Sequence, residues 1–117
     1  MIKPIDIAIS SYLKRKKYFE NYLKICKKIK NFVKKIVKDK NLRVIAFGSV
    51  VKKTYTPLSD LDILIVSDKI KRDEYAKIRV KIKESLKDFG APIELHFANN
   101  ETFEKWYKKF LDKYVEV

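Results

Sequence analysis

Apolar residues recur every three or four positions between Ser11 and Lys38, at Phe19, Tyr22, Cys26, Ile29, Val33 and Ile36. That period predicts one long amphipathic helix, with Ser10 or Ser11 as its N-cap, lysine stems along its wet face and an end at Asp39-Lys40-Asn41. The period then shortens. Arg43–Phe47 and Leu61–Val66 are short runs rich in β-branched residues, the first stopped by Gly48, and both read as buried strands. Helical spacing returns over 72–89, with Tyr75, Ile78, Ile82, Leu86 and Phe89 directed inward. Gly90 stands where a helix C-cap takes positive φ, and Pro92 prevents the helix from resuming.

Ile93-Glu94-Leu95-His96-Phe97 alternates apolar and polar residues, as a strand with one packed face does. Asn99 or Asn100 is placed to cap a last helix carrying Phe103, Trp106 or Tyr107, Phe110 and Tyr114. These aromatics are read as helix packing rather than as a platform for nucleobases. The predicted order is α-β-β-α-β-α, which implies an α/β fold with one mixed sheet of about three strands covered by helices. No linker, repeat or low-complexity stretch divides the 117 residues, so residues 1–117 read as a single domain with one core.

Composition narrows the class. The chain is 46% hydrophobic and 37% charged, too apolar for a disordered tail and too charged for a membrane protein. No run approaches the ~20 apolar residues of a membrane span, and Met1-Ile2-Lys3-Pro4 lacks the apolar stretch of a leader, so a cytoplasmic location is expected. Cys26 is the only cysteine, which excludes an internal disulfide and a thiolate zinc site. The net charge of +13 is unevenly spread: residues 1–43 hold 14 of the 28 Lys and Arg but only 3 of the 15 acids. A basic helix of this kind attracts nucleotides, nucleic acid or an acidic protein.

The chemistry lies in residues 47–66 and 93–97. Phe47-Gly48-Ser49 is followed, after ten residues, by Asp60-Leu61-Asp62 at the head of the most apolar strand. Alternation places Asp60 and Asp62 on one face, opposite Leu61, Ile63 and Ile65. Glu94 occupies a polar position of the third strand and joins them if that strand lies beside the second. Carboxylates so crowded repel one another unless a cation sits among them, and hard cations such as magnesium prefer carboxylate oxygens. Asp60, Asp62 and Glu94 are therefore the expected metal ligands and catalytic acids, sufficient to hold two magnesium ions on a nucleoside triphosphate. Gly48 lets the backbone approach a phosphate, Ser49 offers a hydroxyl and an amide, and Lys52 and Lys53 supply charge. His96 follows Glu94 on the same face and reads as a hydrogen-bonded neighbour of the acids.

Gly48-Ser49, ten residues, Asp60-Leu61-Asp62 and a later strand acid resemble the minimal nucleotidyltransferases of the DNA polymerase β-like superfamily. The loop departs from that pattern, with Val50, Val51, Lys52, Lys53 and Thr54 where many relatives carry arginines and a glycine. The resemblance implies a small nucleotidyltransferase fold, magnesium on Asp60, Asp62 and Glu94, and the triphosphate of ATP held at Gly48 and Ser49. It also implies an antitoxin paired with a helical HEPN-type toxin, on which a tyrosine accepts AMP. The competing expectation is a non-catalytic antitoxin or scaffold that binds a protein or RNA through the basic helix.

Overall fold

The computed structural model describes residues 3–117; Met1 and Ile2, at the head of the segment read as lacking a leader, lie outside them. The expected long helix is two helices, α1 (Pro4–Glu20) and α2 (Tyr22–Val37), which meet at Asn21. Asn21 leaves helical geometry at φ −109° and ψ 25°, and its side-chain amide donates to the Lys17 carbonyl at 2.9 Å. Asn competes for backbone partners in this way, which is why it favours helix ends. The start also differs from the Ser10 or Ser11 cap. Pro4 stands in the first turn, where its missing N–H and fixed φ are harmless, and Asp6 accepts from the Lys3 amide at 3.3 Å.

Three strands fall where their apolar runs predict: β1 (Arg43–Phe47), β2 (Leu61–Val66) and β3 (Ile93–Ala98). A short helix, α3 (Ser49–Lys52), follows β1, and α4 (Tyr75–Ser85) lies between β2 and β3. The last helical stretch, residues 100–110, is α-helical at its ends and π-helical over Phe103–Tyr107. It begins as expected at Asn99, whose side chain accepts from the Thr102 amide at 2.7 Å. It stops at Phe110, so Tyr114 is not on a helix but opens a fourth strand, β4 (Tyr114–Glu116). The free edge of β1 offers unpaired backbone groups, and Glu116 adds a two-pronged contact to Arg43 at 2.7 and 3.0 Å.

The sheet order is β3-β2-β1-β4, with β2 and β3 parallel and the other pairs antiparallel. A mixed sheet covered by helices is the small α/β architecture expected, with four strands instead of about three. β2 is buried at Leu61 and from Ile63 to Val66, since both of its faces are covered along most of its length. On one face Val44, Ala46, Leu61, Ile63, Ile65, Leu95 and Phe97 pack with Cys26, Ile29 and Val33 of α2 and Ile78 and Ile82 of α4. On the other, Ile45, Leu64, Val66 and Ala98 pack under Phe103 of the last helical stretch.

The residue with positive φ after α4 is Lys87 (55°), not Gly90, and Phe89 is 64% exposed. The chain turns early and presents Asp88 to Lys14 and Tyr18 of α1, each at 2.8 Å. Ile36, expected inside, lies at the exposed margin of α2, and Phe110 is exposed on the last helix; of the alternatives Trp106 and Tyr107, it is Tyr107 that packs inward. Among the described residues, no helix is long and apolar enough to cross a membrane.

Candidate active site

Strand register assembles the site. Phe47 of β1 pairs with Asp62 of β2, and Asp62 pairs with Glu94 of β3. Two residues along, Ile45, Leu64 and His96 form the next row on the same face. The rows beyond are roofed by Phe103, whereas the Asp62–Glu94 end is open to solvent: the side chains of Asp62, His96 and Glu94 are 23%, 30% and 60% exposed.

His96 Nε2 lies 3.4 Å from Asp62 Oδ1 and 3.9 Å from Glu94 Oε1, and its ring packs at 5.3 Å on Phe47. One ligand atom from each of Asp62, Glu94 and His96 falls within 4.8 Å of the others, a spacing at which a single ion can be shared. Two carboxylates suit magnesium, and the imidazole extends the set to manganese and other transition metals. His96, read from sequence as a hydrogen-bonded neighbour of the acids, does contact Asp62 and also stands inside the group of possible ligands. Its alternation with Glu94 along β3 was the available signal.

Asp60 is not in that group. It lies one residue before β2, and its Oδ1 accepts from Arg15 Nη2 of α1 at 2.9 Å. Arg15 also donates to the carbonyl of Ser59. No sequence signal marks Arg15, because it is 45 residues from Asp60 and meets it only through the packing of α1.

Gly48 follows β1 with φ 82° and ψ −159°, a region open essentially to glycine alone. A Cβ at this position would overlap the Asp62 carboxylate. The backbone after β1 and the acid of β2 are thus in direct contact. Ser49 opens α3, half-buried at the margin of the site. Val50 and Val51 enter the core, each 3% exposed, while Lys52 and Lys53 stay outside. Lys52 lies 3.6 Å from Asp112, so part of its charge is already balanced.

A family described as the nucleotidyltransferase domain matches residues 26–115. The chain is also similar to a crystal structure provisionally described as that of a nucleotidyltransferase, at 29% identity over 74% of this chain and 95% of the other, with a TM-score of 0.49. No curated protein is similar enough to count as a relative. The family match runs from within α2 into β4, over the segments that carry Gly48, Ser49, Asp60, Asp62 and Glu94, and on that match the chain belongs to the nucleotidyltransferase domain family.

Proposed function

We propose that this protein transfers AMP from ATP to a hydroxyl acceptor, with magnesium as cofactor, and that the acceptor is a tyrosine of a HEPN-type toxin for which the protein acts as antitoxin. The observation that carries the enzymatic part is the pairing of Asp62 with Glu94 across β2 and β3 at the open end of a sheet face. The toxin and the choice of ATP rest on the family resemblance of Gly48-Ser49 and Asp60-Leu61-Asp62.

The donor set fits a hard divalent cation, with Asp62 and Glu94 as ligands and Asp60 two residues away. When bound, magnesium neutralises the triphosphate and favours departure of pyrophosphate. The protein's own groups do the rest. Asp62 lies between the Gly48 backbone and His96, with its carboxylate at the open end of the face. Glu94 is the most exposed of the three and faces the incoming acceptor, from whose hydroxyl it takes the proton. Ser49 and the Gly48 backbone hold the phosphates, and Lys52 and Lys53 add positive charge at the rim.

A second reading, binding without catalysis, is favoured by α1. Ile5, Ile7, Ile9 and Leu13 are each more than half exposed on a lysine-rich helix. Calorimetric titration of ATP, with and without magnesium, into wild type and Asp62→Asn separates the readings. Magnesium-dependent binding lost in the variant supports the enzyme; no binding by folded wild type overturns it. A tyrosine-bearing partner that gains AMP from labelled ATP then identifies the acceptor.

A further inference from the structure

α1 is joined to the rest of the molecule by few side chains. Phe19 is buried against Tyr55 at 4.8 Å between ring centres, Lys14 and Tyr18 bond Asp88, and Arg15 reaches the loop before β2. From Lys3 to Lys14 the described residues are exposed. Arg15 differs from its neighbours in two ways. Its Nε is buried without a hydrogen-bond partner among the described residues, so the guanidinium is held in place despite an unsatisfied donor. Its Nη2 meanwhile takes both the Ser59 carbonyl and the Asp60 carboxylate.

Asp60 stands two residues before Asp62, and alternation along an extended chain turns both toward the same side. Asp62 clusters with Glu94 and His96, whereas Asp60 is drawn to Arg15. We propose that Arg15 is a positioning residue that competes with the divalent cation for Asp60 and thereby sets the metal affinity of the site. With the pair closed, the acid cluster lacks Asp60. With it open, Asp60 is free to turn toward Asp62 and add a third carboxylate. The Asp60 side chain is 45% exposed, and ion pairs so placed open readily.

α1 precedes the residues matched by the family, 26–115. The inference rests on reading the acid cluster as a metal site.

Titration of MgCl₂ and MnCl₂ by calorimetry into wild type, Arg15→Met, Asp60→Asn and the double variant tests the competition. Arg15→Met is expected to bind about three- to fivefold more tightly, the scale of an exposed ion pair. The gain should vanish in the Asp60→Asn background. Lys14→Met, which removes an equal charge one residue away without touching Asp60, should show little of it. Unchanged or weaker binding by Arg15→Met overturns the proposal, as does a gain that persists without Asp60 or appears equally in Lys14→Met. If Arg15→Met loses its fold by circular dichroism, Arg15→Gln replaces it under the same criteria. Absence of binding by wild type is a different failure: it sinks the metal reading of Asp62 and Glu94, and the competition falls with it.

Discussion

Gly48 packs so closely on Asp62 that a Cβ on Gly48 would overlap the carboxylate as it stands. The glycine is required twice, by this approach and by its φ of 82°. Gly48→Ala must push the Asp62 side chain out of place as well as strain the backbone. We expect about 1–3 kcal/mol of lost stability, read as a lowered denaturant midpoint, together with loss of nucleotide binding. Retention of both would show that β1 and β2 can separate at this end.

Glu94 and Asp62 should differ from core residues in what their removal does. Glu94 is exposed and Asp62 half-buried, so Glu94→Gln and Asp62→Asn should change stability by less than about 1 kcal/mol. Metal-dependent nucleotide binding should fall by at least tenfold in each. Thermal melts and calorimetry on the same samples separate a chemical role from a structural one.

Tyr18 makes the attachment of α1 sensitive to alkali. Burial, the hydrogen bond to Asp88 and the charge of Asp88 push its pKa up to about 12. The stability it contributes is fully present below the unfolded tyrosine value of about 10 and is lost as pH rises through the folded value. Denaturant midpoints should therefore decline across that window, and Tyr18→Phe should decline less. Asp88 works in the opposite sense. Its burial acts to raise its pKa, but hydrogen bonds from Lys14 and Tyr18 outweigh it and the net shift is downward. Its contribution is present above the unfolded carboxylate value and lost as pH falls through the folded one.

Phe103 roofs the far end of the site-bearing face. It is 1% exposed, meets Tyr114 edge-on at 6.2 Å and lies under the Arg43 guanidinium at 4.5 Å. Phe103→Ala should cost about 3–5 kcal/mol. By contrast, Trp106→Ala on the exposed side of the same stretch should fall within about 0.5 kcal/mol. Chemical denaturation of the two variants checks the contrast.

Local pattern was sufficient for the elements whose own residues decide them. β1, β2 and β3 were legible because their apolar runs have one state that buries them, and Asn99 because its cap bond closes within three residues. The pairing of Asp62 with Glu94 followed from alternation once β3 was set beside β2. The errors were of another kind. Asn21 breaks a helix that periodicity runs through, because side-chain competition for the Lys17 carbonyl leaves no trace in hydrophobic spacing. Tyr114 continues a helical pattern, yet the open edge of β1 and the charge of Arg43 draw it into a strand.

Asp60 and His96 show the same division within the site. Sequence alone determined that the acids stand at the head of a buried strand and that Glu94 and His96 share a face, since strand alternation is a property of the backbone itself. Only the tertiary structure decided that Asp60 turns to Arg15 and that His96 lies against Asp62. Those contacts span 45 and 34 residues, and where so distant a partner comes to rest depends on how α1 and β3 pack against the rest of the chain.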